Sequence, residues 1–345
     1  MWHAVGLPRI IAVVRLDPDS RNYAELADAV CAVRIASRVT RRLQAEIGGA
    51  FLTKDDRSPV TVADYAAQAL VSLALPAEDA IVGEETSPDL VTPEGREVMT
   101  RVVDAVGSEL PGVTAKQVGE AIDRCSSAGG ASGRFWVLDP IDGTKGFLRG
   151  DQYAIALGLM EDGEVVGGVL GCPNLPSADG RGCLFAATRG RGAWELPLDE
   201  EGYAPRRIGV SPITDSTAAV FCESAVSMHS DRGGHAGIAE RLGVTAAPVR
   251  MDSQCKYGAI ARGDASIYLR LPSSATYREK IWDHAAGFIV VTEAGGAVTD
   301  AFGRELDFSL GRTLETNRGV VATNGLLHRE VLAAASAVLP EAPAA

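Results

Sequence analysis

The feature that most constrains this chain is a pair of aspartates that directly follows a short apolar segment. Phe135-Trp136-Val137-Leu138 has the composition of a buried strand, and Asp139-Pro140-Ile141-Asp142-Gly143-Thr144 comes next. We predict a turn that begins at Asp139 and places both carboxylates, with the Ile141 carbonyl between them, around one point. Mg²⁺ binds preferentially to oxygen ligands such as carboxylates and carbonyls. Two Mg²⁺ ions held together can stabilise both the attacking and the leaving oxygen when a phosphate ester is hydrolysed. By itself, the motif also fits an Asp-Gly surface turn after an edge strand.

Three other segments place carboxylates where they could join this pair. Glu84-Glu85 follows a short predicted strand, Asp64 lies in a helix predicted to begin near Thr61, and Asp283 is predicted to begin a helix. Each has a structural alternative. Thr61 and Asp64 have the spacing of a capping box, Asp283 could favour a helix dipole, and Glu84-Glu85 could simply be solvated. The spacing alone leaves these alternatives open.

Hydrophobic periodicity predicts a mixed α/β protein. Helices are predicted over 23–47, 61–76 and 95–125, and strands near 80–82, 135–138, 153–160, 165–170, 184–187 and 193–196. Asp162-Gly163 is a predicted hairpin turn. Beyond the polar stretch 198–207, strands and helices alternate: strand 218–222, helix 235–242, helix 254–262, strand 265–270, helix 283–294, strand 319–323 and helix 325–338. We place a domain boundary at this stretch, which gives domains 23–203 and 204–345 after an unassigned extension, 1–22.

Composition argues against several classes of protein. The formal net charge of −12 disfavours a nucleic-acid backbone or an anionic membrane as the main partner, although local Lys and Arg side chains can still bind a small phosphorylated substrate. Six scattered cysteines without a C-x-x-C pair indicate reduced thiols rather than a disulfide framework or a zinc site. The apolar run from Ile10 to Val14 is too short to span a membrane, and no cleavage site follows it. We therefore expect a cytoplasmic location.

The chain resembles the inositol monophosphatase superfamily of lithium-sensitive, metal-dependent phosphatases in the order of four segments. These are Asp64, Gly83-Glu84-Glu85, Asp139 to Thr144 and Trp282-Asp283. Longer strings are similar to its 3′(2′),5′-bisphosphate nucleotidase branch. They are residues 54–61, 133–136, 143–150, 171–175, 252–257 and 268–287. The resemblance covers residues 23–335 and implies a layered α-β-α-β-α fold, with an α+β first domain, an α/β second domain and the site between them.

The resemblance also implies roles for individual residues. The metal ligands for two or three Mg²⁺ ions would be Glu84, Asp139, the Ile141 carbonyl, Asp142 and Asp283. Asp64 and Thr144 would orient and deprotonate the attacking water, with Asp56 and Glu85 in supporting positions. The substrate contacts would be Gly143, Thr144, Ser253, Lys256, Arg270 and Asp283, with Tyr277 and Lys280 nearby. For Lys256, an exposed position on a helix is the alternative.

The chain departs from the family's pattern where relatives hold the adenine base. Relatives carry a histidine-containing segment there, whereas this chain has Ser224 to Asp231 followed by Gly233-Gly234. His229 is a candidate base contact, and a structural or solvated His229 is the alternative.

The expected partner is a small phosphorylated nucleotide, and neither nucleic acid nor membrane. The implied activity, tied to sulfur metabolism, removes the 3′(2′)-phosphate of adenosine 3′(2′),5′-bisphosphate to yield AMP. Inositol monophosphate, or a phosphorylated nucleoside of a specialised biosynthetic pathway, is the alternative substrate. A catalytically dead nucleotide sensor is a third hypothesis. Monomer and homodimer both stay open.

Overall fold

A computed structural model describes residues 26–49, 58–86, 90, 92–180, 182–199, 203–225, 232–272, 274 and 276–339. The helices in these ranges are α1 (Ala27–Gly49), α2 (Ser58–Ala74), α3 (Pro93–Gly107), α4 (Ala115–Asp123), α5 (Thr144–Arg149), α6 (Arg232–Arg241), α7 (Cys255–Arg262), α8 (Ala285–Glu293) and α9 (His328–Ser336). The strands are β1 (Ala80–Gly83), β2 (Arg134–Asp142), β3 (Ala154–Glu161), β4 (Glu164–Cys172), β5 (Cys183–Thr188), β6 (Ala193–Pro197), β7 (Arg206–Ile208), β8 (Phe221–Glu223), β9 (Val249–Arg250), β10 (Ile267–Arg270), β11 (Ala297–Thr299) and β12 (Val320–Thr323).

The first sheet has the strand order β1-β2-β3-β4-β5-β6-β7. Among the strands described here, β1 pairs with β2 in parallel, and each later neighbour in this sheet is antiparallel. Asp162 and Gly163 both have positive φ angles, of 47° and 82°, at the turn between β3 and β4. This backbone is the one that a two-residue hairpin requires, so the predicted turn is confirmed. The last strand, β7, lies beyond residue 203, and the division of the chain there remains a proposal.

Helices α1 and α2 cover one face of the first sheet. Buried residues recur along α1 at helical spacing: Val30, Val33, Val39, Leu43 and Ile47. Through this face, α1 packs on α2 and on strands β3 and β4. The first sheet is therefore closed on this side by an apolar helical layer.

The second sheet, in the order β11-β12-β10-β8-β9, is separated from the first by helices α7 and α8. α8 packs on β3, β4 and β5, while α7 contacts both α8 and strands β8 and β10. On the far side, α9 packs on β12 and α6 packs on α9. The layers follow the order α-β-α-β-α, which confirms the predicted mixed α/β fold class.

Three local predictions differ from the structure. α2 begins at Ser58, so Thr61 lies inside the helix and the capping-box alternative for Thr61 and Asp64 is wrong. The helix predicted over 95–125 is two helices, because Pro111 and Gly112, with its φ of 86°, interrupt it. Strands β7, β9 and β11 were not predicted, since two or three residues carry too little periodicity to be recognised.

Two further observations bear on the predictions from composition. Five of the cysteines are free, buried thiols (Cys125, Cys172, Cys183, Cys222 and Cys255), and Cys31 is partly buried. Among the helices of the described ranges, none combines the length and the apolar character that crossing a bilayer requires.

The close approach of α8 to the first sheet depends on Gly168 in β4. A Cβ atom at this position would lie 2.6 Å from Ile289 Cγ2 and 3.0 Å from the Ala286 backbone. We expect Gly168→Ala to lower the free energy of unfolding by about 1–3 kcal/mol, the usual cost of overpacking a core, as measured by urea denaturation.

Gly119→Ala is the matched control for this substitution. Gly119 lies inside helix α4, and its added methyl group would meet only Met99 Cε, at 3.9 Å. It should raise stability by up to about 1 kcal/mol through helix propensity. Equal effects of the two substitutions would contradict the packing argument.

Candidate active site

The parallel pairing of β1 with β2 brings two carboxylates to one edge of the first sheet. Gly83 of β1 pairs with Leu138 of β2. The next residue of each chain segment is a carboxylate, Glu84 after Gly83 and Asp139 after Leu138, so the two lie at the same level of the sheet. Their side chains are close enough to share a hydrogen bond. Asp139 is only 2% exposed, and its Oδ1 atom has no hydrogen-bond partner in the described structure. A buried acceptor without a donor is costly, and a hard cation would satisfy it.

The aspartates of the Asp-Pro-x-Asp motif lie within a strand rather than in a turn. β2 continues through Asp142, and its register with β3 shifts between Asp139 and Asp142. The predicted end of the strand at Leu138 is therefore wrong, and a bulge is what re-aims the second carboxylate. Asp142 Oδ2 accepts a hydrogen bond from the backbone N–H of Gln254, which ties the motif to the segment before α7.

Asp283 comes from the other half of the chain, at the end of the short 3₁₀ turn Ile281–Asp283 that precedes α8. Arg270 Nη2 donates to Asp283 Oδ2 at 3.1 Å, and Arg270 Nε lies 2.8 Å from Glu279 Oε2. Glu279 also contacts His284 Nε2 at 3.2 Å. In the described structure, one group of acidic and histidine side chains has potential metal-ligand atoms that all lie within 4.8 Å of one another. It consists of Glu279, Asp283 and His284. The guanidinium of Arg270 already supplies the positive charge for that group.

The predicted ligands influence one another's protonation. Loss of hydration at the carboxylate, followed by the charges of Asp283, Glu85 and Asp142, raises the pKa of Glu84 to about 7, although the residue as a whole is exposed. Burial and Asp283 raise the pKa of Asp142 to about 6, against the opposing effect of Lys256 and Arg270. The pKa of Asp139 is raised well above its usual value by burial and then by Glu84, Asp142 and Asp283. Like charges held this close suit a site for divalent cations.

Asp64 and Thr144 lie beside this cluster, but no hydrogen bond joins them in the described residues. Asp64 projects from α2 and is 8% exposed, and its pKa is raised by burial and then by Glu85 and Glu84. Thr144 is the first residue of α5, and its hydroxyl donates to the Ile141 carbonyl at 3.5 Å, a weak bond. Asp56 lies outside the described residues.

A cavity of about 800 Å³ opens beside the carboxylates. The predicted substrate contacts that line it are Gly143, Thr144, Ser253, Lys256, Arg270 and Asp283, and Tyr277 lines it as well. Lys280 is not part of the lining, and its Nζ atom lies 5.8 Å from the centre of the Trp282 ring. His229 lies outside the described residues. Sequence reasoning missed Lys145, Arg149, His235, Asp252 and Glu279 in the lining, although the first two belong to the string 143–150 that carried the resemblance.

Lys256 is buried in the cavity wall, so the alternative of an exposed helix residue is wrong. It is 5% exposed, and its Nζ atom lies 5.2 Å from the centre of the Tyr268 ring. Burial lowers the pKa of Lys256, whereas Asp142 opposes the shift. A buried ammonium group needs a polar or anionic partner, and a phosphate in the cavity would provide one.

Backbone conformation at Gly143 and Ser253 brings two of the cavity's loops into contact. Gly143 has a φ of 92°, and a Cβ atom there would lie 2.9 Å from Ser253 Cβ. Ser253 itself has a φ of 67°, which is rare for a residue with a side chain. Strain of this kind persists where the surroundings impose it, and it is common at functional sites.

Comparison with known proteins identifies the class to which this fold and site belong. The model of the inositol monophosphatase family matches residues 22–339. Inositol monophosphatase from Anabaena (Nostoc) sp. PCC 7120 superposes with a TM-score of 0.61 at 20% identity, covering 93% of this chain and 98% of that one. Mycobacterium tuberculosis SuhB gives 0.59 at 21% identity, covering 92% and 97%. The chain belongs to the inositol monophosphatase family.

Within that family, the chain is similar to proteins named 3′(2′),5′-bisphosphate nucleotidase. The protein of that name from Oryza sativa is 48% identical over 343 residues, which cover 92% of this chain and 95% of that protein. Those from Emericella nidulans and Schizosaccharomyces pombe are 45% and 42% identical, and each covers more than nine tenths of both chains. The resemblance predicted from the motifs is confirmed.

The carboxylate cluster predicts that Mg²⁺ stabilises the protein more at pH 7 than at pH 5. Because the pKa values of Glu84 and Asp142 are raised, the folded protein binds protons more tightly than the unfolded chain does. Their protonated forms therefore stabilise the metal-free fold below about pH 4, and this contribution is lost as the pH rises through about 6 to 7. Mg²⁺ should replace the lost protons, so its effect on Tm should grow across that window.

Differential scanning fluorimetry with and without Mg²⁺ at each pH would measure this effect, because other pH-dependent terms cancel in the difference. Glu84→Gln should reduce the gain in Tm at pH 7. A gain that is equal at pH 5 and pH 7 would contradict the assignment of these carboxylates to a cation site.

Proposed function

We propose that the protein is a Mg²⁺-dependent phosphomonoesterase that hydrolyses the 3′(2′)-phosphate of adenosine 3′(2′),5′-bisphosphate to AMP and inorganic phosphate. The observation that carries the proposal is the distribution of charge in the cavity. Carboxylates of Asp142 and Asp283 line it together with the cations Lys256 and Arg270. A substrate with two phosphates fits such a cavity, with one phosphate at the metal ligands and the other at the cations. The names of relatives that are 42–48% identical support the same substrate.

The metal ligands in this proposal are Glu84, Asp139, the Ile141 carbonyl, Asp142 and Asp283. These residues would hold Mg²⁺, which would supply a lowered pKa for an attacking water and positive charge opposite the phosphate and the leaving oxygen. The unpartnered Oδ1 atom of Asp139 and the raised pKa values of its neighbours fit this role.

Asp64 and Thr144 handle the proton of the attacking water. Asp64 is buried next to Glu84 and Glu85, where it can accept a proton through the Thr144 hydroxyl. The bond from Thr144 to the Ile141 carbonyl is weak, at 3.5 Å, which leaves the hydroxyl available to a stronger acceptor. In-line attack on phosphorus then needs no covalent intermediate with the protein.

The cations of the cavity hold the second phosphate. Arg270 can present N–H groups to phosphate oxygens, and Lys256 adds a point charge from the buried wall. Ser253 and the backbone at Gly143 lie on the same wall. The proposal also includes a cytoplasmic location, where thiols stay reduced. It divides the chain into two domains, 23–203 and 204–345.

The test is phosphate release from a panel of substrates with and without Mg²⁺. Adenosine 3′,5′-bisphosphate should be hydrolysed with a higher kcat/KM than AMP or inositol 1-phosphate, and EDTA should abolish release. Asp139→Asn should lower the rate at least about 10²-fold, as is typical when a metal ligand or a general base is lost. Asp64→Asn should have a comparable effect.

Asp104→Asn is the matched control, because Asp104 is an exposed residue of α3 and is not among the residues that line the cavity. It should leave the rate unchanged. Faster turnover of inositol 1-phosphate would refute the proposed substrate, and release that survives Asp139→Asn would refute the proposed site.

A further inference from the structure

The backbone on both sides of Glu84 is held by side chains from other segments. Gln68 Nε2 donates to the Glu85 carbonyl at 2.9 Å, and the Glu85 N–H donates to Gln68 Oε1 at 3.1 Å. On the other side, the Gly83 carbonyl accepts a hydrogen bond from Arg312 Nη2. Glu84 itself is thus left to face the cluster while its neighbours are fixed.

Arg312 connects this strand end to two other segments. Its Nη1 atom donates to the Ser127 carbonyl at 2.9 Å, in the loop that precedes β2. Its guanidinium carbon lies 4.8 Å from the centre of the Trp282 ring, the residue before Asp283. One side chain therefore contacts the segment that carries Glu84 and the segment that carries Asp283, which belong to opposite halves of the chain.

The chemistry of these contacts requires a guanidinium group. Its planar fork donates to two carbonyls in different directions while its face lies on an aromatic ring. A lysine would keep the charge, but its single ammonium group cannot reproduce both donations and the stacking together. The contacts are made to carbonyls and to a ring, so Arg312 acts on the carboxylates through the backbone next to them.

We propose that Arg312 is a positioning residue that fixes Glu84 relative to Asp283 and thereby sets the affinity of the site for divalent cations. The inference rests on the proposed metal ligands. Residues that orient metal ligands commonly change metal affinity by 10- to 100-fold when they are replaced, because the ligands must then be ordered on binding. In the described structure, the hydrogen-bond and ring partners of the Arg312 side chain are Gly83, Ser127 and Trp282, and we assign none of these as a substrate contact.

The test compares the full chain with its Arg312→Lys variant. Isothermal titration of Mg²⁺, without substrate, should show at least about 10-fold weaker binding in the variant. In the activity assay, the Mg²⁺ concentration for half-maximal rate should rise by a similar factor. At saturating Mg²⁺, KM for adenosine 3′,5′-bisphosphate should stay within about 2-fold of the wild-type value, because no substrate contact is lost.

Arg34→Lys is the matched control. Arg34 is buried, and its Nε and Nη2 atoms donate to the Pro197 carbonyl at 3.3 and 3.1 Å, at the end of β6. Its loss should lower Tm without changing Mg²⁺ binding. If Arg312→Lys only lowers Tm in the same way, Arg312 is a structural residue and the inference is wrong.

Trp282→Phe gives a second measurement if Arg312→Lys does not fold. It weakens the stacking and keeps both hydrogen bonds of Arg312, so a smaller shift of the Mg²⁺ titration in the same direction is expected. An unshifted titration would overturn the inference.

A wild-type protein that binds Mg²⁺ but hydrolyses none of the panel would refute the proposed function alone, whereas one that binds no divalent cation would refute both.

Discussion

The parallel pairing of β1 with β2 is the constraint on which the site depends. Because the two strands run in the same direction with Gly83 beside Leu138, their carboxyl ends meet at one edge of the sheet. Glu84 leaves the sheet there, directly after β1, and Asp139 lies at the same level in β2. An antiparallel pairing would have sent them to opposite edges. The remaining strand pairs of this sheet are antiparallel, so its one parallel pair coincides with the cluster of negative charge.

Holding like charges together is unfavourable, and the structure offsets this with rigid supports rather than with ion pairs to each carboxylate. Gln68 and Arg312 hold the peptides around Glu84, and the N–H of Gln254 binds Asp142. Arg270 bridges Asp283 and Glu279. These contacts fix the carboxylates from outside the cluster and leave oxygen atoms such as Asp139 Oδ1 available to a cation. Such preorganisation is what metal sites require of the surrounding protein.

The sequence was sufficient to predict the layered fold and the family, because ordered motifs such as Asp-Pro-Ile-Asp-Gly-Thr are specific when several occur together. Side-chain environments were harder to predict. The burial of Lys256 depends on α7 lying between the two sheets, and long-range packing of that kind leaves no local signal. The strand character of Asp139 to Asp142 was missed because proline and glycine normally end a strand, whereas here a bulge accommodates them. Arg312 was missed because its role arises only from contacts with distant backbone.

The most direct test of the central claim is the location of bound metal. Crystals of the protein grown with Mn²⁺ and measured at a wavelength with strong manganese anomalous scattering would locate the ions. The account predicts anomalous peaks within coordination distance of Glu84, Asp139, Asp142 and Asp283, at about 2.0–2.3 Å from their oxygen atoms. Peaks only at Glu279 and His284, or no ordered peak near Asp139, would contradict it.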